Sequence, residues 1–399
     1  MGNTCSNTHN PPQVVNLSQF QVIKSIGQGS FCKVYKVQHV QRKKLYALKV
    51  INKEKCVEMK AVHNVIRERK ILENLNHPLI CNIRFAFQDI HSMYLAVDLM
   101  SAGDLRQHIA HTHYDEESVR FWISELICAV KYLHSQKIVH RDIKPDNILL
   151  DQEGHIHLTD FNIACELPKN KFLTSLSGTA TYFAPEVFKG QGYDENVDWW
   201  CVGVTFYECV YKKRPWPSCK DIEELKRQVL SKSIQYPSSF ASLPCKLAIK
   251  DFLEKNPKER LGYGITSGWR KIMTHPFFES IDWYSIDNKQ TTPVYTPQMI
   301  KDDQTSFEPD RIEQPQRTNR RLSKEDIKIL KERFEPFDYT VFEEYKGLLD
   351  ENLMTVGPPP TWVKPAFPGA DNGCILPVNK ICLEHLPSVL NMNKMMHPT

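Results

Sequence analysis

The sequence predicts an α+β protein with two lobes, a small antiparallel-sheet lobe with one helix followed by a larger, mainly helical lobe. Between residues 20 and 51, short β-type runs alternate with glycine or polar turns, which is typical of strands. After Gly103, apolar residues recur with the 3.6-residue period of helices that pack on a core. This change of pattern divides the globular part into a small lobe, about 20–97, and a large lobe, about 101–278.

The small lobe contains one predicted helix between predicted strands. We predict strands at 20–23, 33–37, 45–51 and 94–99, because each is a short run of β-branched, aromatic or other apolar residues. Residues 57–74 carry apolar side chains among many charges, which indicates an amphipathic helix. The lobe should therefore be a small sheet with one helix against it.

The large lobe and the flanking segments differ sharply in composition. Apolar residues at helical spacing in 117–136 indicate a core helix, and the nearly all-apolar run 198–211 indicates a helix buried inside the lobe. Residues 1–19 are polar and predict a flexible arm. The sequence becomes charged and rich in proline in a tail, 279–345, and 346–399 should be poorly ordered.

The overall composition excludes several classes of protein. Of 399 residues, 41% are hydrophobic and 25% charged, which is typical of globular proteins and excludes wholesale disorder. No apolar run approaches the roughly 18 residues of a membrane span. The 12 cysteines form no CxxC pair, which indicates reduced thiols and a cytoplasmic location. The net charge of +4 resides in 311–333, so we expect no nucleic-acid partner.

A glycine-containing loop lies between the first two predicted strands. It reads Ile26-Gly27-Gln28-Gly29-Ser30-Phe31-Cys32-Lys33-Val34, and glycines let backbone N–H groups approach phosphate oxygens. A plain hairpin turn would explain the loop equally well. Lys49 follows on a half-buried strand, where an ammonium group is costly unless it is paired. A nucleotide phosphate and the carboxylate of Glu68, on the next helix, would pair it; a solvated helix face is the plainer alternative for Glu68.

The most informative cluster is His140-Arg141-Asp142-Ile143-Lys144-Pro145-Asp146-Asn147. Its polar and conformationally special residues precede an apolar strand and make poor structural filler. Asp160-Phe161-Asn162 follows thirteen residues later, and Ala184-Pro185-Glu186 comes after it. The order and spacing of these three segments match the signature motifs of protein kinases.

From residue 20 to about 278 the chain resembles a eukaryotic serine/threonine protein kinase domain. Four segments resemble the AGC group: Arg67-Glu68-Arg69-Lys70-Ile71-Leu72, Asp198-Trp199-Trp200, Asn256-Pro257-Lys258-Glu259-Arg260-Leu261-Gly262 and His275-Pro276-Phe277-Phe278. The run Asp-Phe-Asn-Ile-Ala at 160–164 is similar to the YANK subfamily. The resemblance implies ATP and Mg²⁺ as cofactors, protein substrates and a monomeric enzyme.

The resemblance also assigns roles to individual residues. It implies that Asp142 accepts the proton of the substrate hydroxyl and that Lys144 stabilises the γ-phosphate. Asn147 and Asp160 would hold Mg²⁺, which prefers oxygen ligands. Lys49, paired with Glu68, would bind the α- and β-phosphates. Val97 would be the gatekeeper, Asp98 and Met100 would belong to the hinge for adenine at 98–100, and Asp104 would contact the ribose or the peptide. The remaining residues of the nucleotide site would be Ile26, Gly27, Gln28, Gly29, Ser30, Phe31, Val34 and Ala47.

Two residues depart from the kinase pattern. Cys32 replaces the third glycine of the phosphate loop and should place a thiol near the nucleotide. Asn162 replaces the glycine that usually follows Asp-Phe, and asparagine tolerates a positive φ better than most residues. We therefore expect activity to survive, with a less free rearrangement of 160–162.

Substrate binding and control are predicted from further matching positions. Carboxylates at Asp104, Asp146 and Glu208 match the groove that selects basic residues two to three positions upstream of the acceptor. Thr179 should contact both substrate and Asp142. Ser175, beside Thr174, matches the activation site, where a phosphate could pair with Arg141; an unmodified loop serine is the alternative. Glu186 and Arg260 should form a structural ion pair.

The two ends of the chain carry short motifs. Phe334-Glu335-Pro336-Phe337-Asp338-Tyr339 resembles the AGC hydrophobic motif, and predicts that Phe334, Phe337 and Asp338 dock the tail on the small lobe; an amphipathic tail helix is the alternative. Thr292-Pro293-Val294-Tyr295-Thr296-Pro297 is similar to a tail segment that passes near the nucleotide. Gly2 and Cys5 fit a myristoylation and palmitoylation pattern, which predicts peripheral attachment to the inner face of the plasma membrane.

Two rival functions remain at this point. A membrane-anchored pseudokinase scaffold with little activity is favoured by Cys32 and Asn162, and disfavoured by the intact Lys49, Asp142 and Asp160. A small-molecule phosphotransferase would share the core, but the Ala-Pro-Glu segment and the groove carboxylates serve peptide binding.

Overall fold

The structure is a computed structural model, and it describes side chains or backbone for part of the chain. Six predicted site residues lie outside the described residues: Gly2, Cys5, Ser30, Phe334, Phe337 and Asp338. The described ranges are 15–29, 31–89, 91–168, 172–217, 219–237, 240–297, residue 312 and the backbone of 339–340.

The small lobe is an antiparallel sheet with two helices, rather than the single helix that the sequence predicts. Its strands are β1 (Phe20–Gln28), β2 (Cys32–His39), β3 (Leu45–Asn52), β4 (Ile83–Gln88) and β5 (Ser92–Asp98), in the order β1-β2-β3-β5-β4. Its helices are α1 (Lys53–Glu58) and α2 (Val62–Glu73). Lys60 lies between them with φ of 55°, a left-handed conformation that ends the first helix. Because this residue is a lysine and not a glycine, the sequence does not indicate the break.

A compact aromatic cluster covers one face of the sheet. Phe20, Tyr35 and Phe85 are buried in it, together with aliphatic side chains such as Val37 and Leu48. Val15, only 6% exposed, packs on this cluster just before a short 3₁₀ helix, Leu17–Gln19. The predicted flexible arm 1–19 therefore extends too far, because burial of Val15 fixes its last residues to the sheet.

The large lobe is built around two long helices, α4 and α6. Asp115 caps α4 by accepting a hydrogen bond from the Ser118 amide, and α6 is buried nearly all round as predicted. The helices of this lobe are α3 (Leu105–His111), α4 (Glu116–Ser135), α5 (Pro185–Lys189), α6 (Asn196–Tyr211), α7 (Ile222–Ser231), α8 (Leu243–Phe252), α9 (Ile265–Met273) and α10 (Trp283–Asp287). Its short strands are β6 (Ile138–Val139), β7 (Ile148–Leu150), β8 (Ile156–Leu158) and β9 (Cys165–Glu166).

The tail touches both lobes. Tyr295 packs on the large lobe, where its hydroxyl lies 2.9 Å from Nδ1 of His108 and its ring stands edge-on to Trp122. Further along, β10 (Tyr339–Thr340) pairs antiparallel with β4 at the edge of the small-lobe sheet. In the part of the chain that the structure describes, no helix is both long enough and apolar enough to cross a membrane.

Candidate active site

The loop 140–147 is held in place by one buried carboxylate of α6. Asp198 accepts hydrogen bonds from the backbone amides of His140 and Arg141, both at 2.9 Å, and from Nε2 of His134 at 2.9 Å. Burial alone would raise the pKa of Asp198, but the hydrogen bonds and charge of His134 and His140 reverse this and lower it. Arg141 adopts a φ of 70°, a strained conformation that this carboxylate stabilises.

Asp142 lies at the centre of the loop, and donors surround its carboxylate. Oδ1 accepts from the amide and hydroxyl of Thr179 at 2.9 and 2.7 Å, and Oδ2 accepts from Lys144 at 2.7 Å and from Asn147 at 3.0 Å. Burial raises the pKa of Asp142, but the bonds from Lys144 and Thr179 outweigh burial and lower it. Asp142 is therefore ionised at neutral pH and can accept a hydroxyl proton.

Lys49 and Glu68 form an ion pair between the sheet and α2. Lys49 Nζ donates to both carboxylate oxygens of Glu68, at 2.7 and 3.0 Å, and lies 3.8 Å from Asp160 Oδ1. Glu68 reaches the strand because it shares the inner face of α2 with the buried Val65 and Leu72. Burial would lower the pKa of Lys49, yet Glu68 and Asp160 raise it, so the ammonium stays charged.

Asp160 and Asn147 provide oxygen atoms suited to a hard cation. Asp160 Oδ1 is buried and makes no hydrogen bond, and its residue adopts a strained φ of 64°. The Nδ2 amide of Asn147 donates a hydrogen bond to the Asp142 carbonyl at 2.8 Å, which leaves its amide oxygen as the available ligand. This donor set fits Mg²⁺, which is usually held by one or two protein oxygens together with substrate phosphates.

The glycine loop forms the turn of the β1–β2 hairpin. Gly27 pairs with Val34, and the Gly29 amide donates to the Cys32 carbonyl at 2.8 Å. A Cβ on Gly29 would lie only 2.9 Å from Cys32 Sγ, so a larger residue here would require the Cys32 side chain to move. Burial raises the pKa of the Cys32 thiol, although the charge of neighbouring Lys49 partly opposes this.

The predicted hinge connects β5 to the large lobe. Val97 pairs with Ala47 across β3 and β5. The carboxylate of Asp98 accepts two hydrogen bonds from Arg84, at 2.8 and 2.7 Å, so its side chain is directed to β4. Sequence reasoning missed Arg84 together with the strand that carries it.

Asn162 does not take the conformation that would require glycine. Among the described residues, the positive φ of this segment falls on Asp160. The Oδ1 atom of Asn162 is buried without a hydrogen-bond partner. The asparagine therefore fits the backbone without strain, and its cost is a buried polar atom.

The activation segment is tied to the catalytic loop through Ser175. Arg141 Nη1 donates to Ser175 Oγ at 2.7 Å, and the Tyr193 hydroxyl donates to the Ser175 carbonyl at 2.7 Å. The predicted neighbours Arg141 and Ser175 thus meet in the structure. No sequence motif indicates a role for Tyr193.

The groove carboxylates have partners within the chain. Asp104 caps α3 and accepts from the amide and the side chain of Gln107, both at 2.9 Å. Arg106 Nη2 lies 3.1 Å from Asp146 Oδ2, and Arg106 Nη1 also contacts Glu208. The structure brings Asp146 and Glu208 together as expected, but it pairs both of them with Arg106, which the sequence analysis did not consider.

The predicted structural ion pair is present in the large lobe. Arg260 donates to both oxygens of Glu186, at 2.7 and 2.9 Å, and is fully buried. It fastens the Ala-Pro-Glu segment to the region before α9.

Comparisons with known proteins agree with this geometry. A family model for the protein kinase domain matches residues 20–278. Human serine/threonine-protein kinase 32B is 39% identical over 73% of this chain and 72% of its own length. Mouse serine/threonine-protein kinase 32C is 40% identical over 71% of this chain and 58% of its length. Serine/threonine-protein kinase sgk-1 of Caenorhabditis elegans is 35% identical, with 71% and 61% covered, so the chain matches less than two thirds of these last two relatives.

Proposed function

The chain belongs to the protein kinase family, as a serine/threonine kinase of AGC type, and on that premise we propose that it transfers the γ-phosphoryl group of Mg-ATP to serine or threonine hydroxyls of proteins. The single observation that carries this proposal is the set of contacts at Asp142. Its ionised carboxylate contacts both Lys144 and Thr179, which places a base, a cation and a substrate-facing residue in one cleft.

Each residue contributes positioning or charge, which is what phosphoryl transfer requires. Asp142 accepts the proton of the incoming hydroxyl, and Lys144 balances negative charge on the transferred group. Lys49, held by Glu68, orients the phosphates. Asn147 and Asp160 would hold Mg²⁺, which when bound neutralises phosphate charge.

A transfer assay tests this proposal. The protein is incubated with γ-labelled ATP and mixed peptides that carry serine, threonine or tyrosine as the acceptor. We expect label on serine and threonine, little on tyrosine, and loss of transfer when Mg²⁺ is chelated. ATP binding without transfer to any acceptor would favour the scaffold alternative instead.

Activation by phosphorylation of Ser175 is a further part of the proposal. The guanidinium of Arg141 already contacts the serine hydroxyl, so a phosphate there would gain a charge-assisted bond to it. Ser175→Ala should remove the activation that an upstream kinase confers, whereas Thr174→Ala should retain it. Equal activation of Ser175→Ala and the parent protein would reject this role.

Docking of the tail and attachment to a membrane also remain proposals. Pairing of β10 with β4 supports docking of the hydrophobic motif on the small lobe. A double variant, Phe334→Ala with Phe337→Ala, should reduce activity without unfolding the domain. N-terminal acylation would hold a cytoplasmic kinase at the plasma membrane, and a Gly2→Ala variant that fractionates like the parent would exclude it.

A further inference from the structure

Arg106, in the first turn of α3, occupies the acidic part of the substrate groove. Its Nη2 atom lies 3.1 Å from Asp146 Oδ2 and 2.6 Å from the Tyr182 hydroxyl. Its Nη1 atom contacts Glu208, and the Tyr182 hydroxyl donates to the same carboxylate. One guanidinium group therefore bridges Asp146 and Glu208, two of the three acids of the groove.

The groups that Arg106 bridges differ in their exposure to solvent. The Glu208 side chain is only 2% exposed, and a buried carboxylate is costly without hydrogen-bond donors or a partner of opposite charge. Arg106 and Asp146 are 34% and 49% exposed, so the outer half of the bridge faces the solvent from which a substrate arrives. Glu208 thus takes its charge partner from the chain itself.

We infer that Arg106 occupies from within the chain the subsite for an upstream basic substrate residue, and thereby limits selection for basic substrates. The inference rests on the proposed function and specifies its substrate class. An incoming arginine could reach Glu208 and Asp146 only by displacing Arg106, which exchanges one guanidinium for another. Because the number of ion pairs stays the same, little selectivity is gained at this subsite.

The three groove carboxylates are already engaged by partners within the chain, which limits their selection of basic substrate residues. On their own they predict strong selection for arginine or lysine upstream of the acceptor. Asp104 is engaged by Gln107, and the other two are engaged by Arg106. The basic preference at this subsite is therefore weak in the parent chain and becomes strong only when Arg106 is removed.

The test compares matched peptides that carry either alanine or arginine at each of the five positions before the acceptor. The quantity measured is the ratio of kcat/KM for the arginine peptide to that for the alanine peptide. We expect a ratio within about threefold of unity for the parent at the position that faces Glu208. Arg106→Ala should raise the ratio about tenfold there, mainly through KM, because the vacated carboxylates then gain a cationic partner from the peptide.

Three further variants make the result specific. Arg106→Lys retains a cation and should behave like the parent, while adding Glu208→Gln to Arg106→Ala should abolish the gain. Arg270→Ala, an exposed arginine at the end of α9, is the matched control and should leave the ratio unchanged. Arg106→Gln keeps a donor toward Glu208 and replaces Arg106→Ala if that variant does not fold.

Two results would overturn the inference. One is strong selection for arginine by the parent at every groove position, and the other is an unchanged ratio in both Arg106→Ala and Arg106→Gln. These differ from failure of the proposed function, in which the parent transfers no phosphate to any peptide.

Discussion

Each lobe contains an ion pair between a basic side chain and a glutamate, and the two pairs have nearly equal geometry but serve different purposes. Lys49 and Glu68 in the small lobe are joined at 2.7 and 3.0 Å, and Arg260 and Glu186 in the large lobe at 2.7 and 2.9 Å. The distances alone do not separate a catalytic pair from a structural one. What separates them is the set of other groups around each cation.

The surroundings of Arg260 fix it completely. It also donates to the carbonyls of Glu254 and Asn196, at 3.0 and 2.8 Å, and stacks over the Trp200 ring. Lys49 instead has a 16% exposed side chain and a second carboxylate, Asp160, at 3.8 Å across the cleft. A lysine ammonium that is close to two acids can also serve phosphates, whereas the planar arginine is fully used by protein groups.

The strongest way to break this comparison is to remove Arg260. Arg260→Met should lower the free energy of unfolding by about 3–5 kcal/mol, because Glu186 would remain as an uncompensated buried charge. Urea denaturation measures the change. A double variant that also carries Glu186→Leu should recover part of the loss. A decrease below about 1 kcal/mol would contradict a structural role.

The matching change in the small lobe should affect turnover more than stability. Lys49→Met should reduce kcat/KM about a hundredfold, since the phosphates lose a preorganised cation. Its effect on the free energy of unfolding should be smaller than that of Arg260→Met, because removal of Arg260 also breaks hydrogen bonds to the Glu254 and Asn196 carbonyls. Parallel denaturation and transfer assays check both statements. Full activity of the variant would place Lys49 outside the nucleotide site.

His108 on α3 is a titratable group that contacts the tail through the Tyr295 hydroxyl. Burial lowers the pKa of His108, although the Ala102 carbonyl and Asp104 partly oppose this. The unfolded chain therefore binds a proton that the folded chain excludes, so stability is fully present above about pH 6.5 and decreases as the pH falls below it. The contribution of one histidine cannot exceed about 1.4 kcal/mol per pH unit.

Denaturation between pH 7.5 and 5.5 tests the role of His108. His108→Gln should show a shallower loss of stability than the parent. Some slope should remain, because burial also lowers the pKa of His157 and of His275. An identical pH dependence in parent and variant would exclude His108 as a contributor.

The smallest expected effect concerns Asn162, beside the cleft acid Asp160. Asn162→Gly should change the affinity of inhibitors that need the 160–162 segment displaced by about fivefold, which corresponds to the roughly 1 kcal/mol conformational cost of glycine. Turnover should change less, because Asn162 itself has no positive φ. Unchanged turnover together with an unchanged preference between inhibitor classes would remove Asn162 from the account.

The catalytic residues could be predicted from the sequence because they lie in short segments with fixed spacing. Asp142, Lys144 and Asn147 fall within six residues, although the Asp198 carboxylate that holds their loop in place lies far along the chain on α6. The Arg260–Glu186 pair is distant in sequence, and its prediction depended on resemblance to a family. The long apolar helix α6 was predictable because burial on all sides leaves a direct mark on composition.

Features that depend on tertiary packing could not be predicted. Arg106 is 102 residues from Glu208 and 40 from Asp146, and an arginine in a first helical turn usually indicates a solvated surface. The break between α1 and α2 occurs at Lys60, a residue type that gives no turn signal. Burial of Val15 likewise depends on the sheet beneath it.

The most direct test of the central claim compares ATP binding and phosphoryl transfer in Asp142→Asn and the parent protein. The amide oxygen can still accept from Thr179, but the amide nitrogen cannot accept from Lys144, and the group takes up a proton far less readily than the carboxylate. We expect Mg-ATP to bind about as tightly as in the parent, while transfer to a serine peptide decreases about a thousandfold. Transfer within tenfold of the parent rate would show that Asp142 is not the catalytic base.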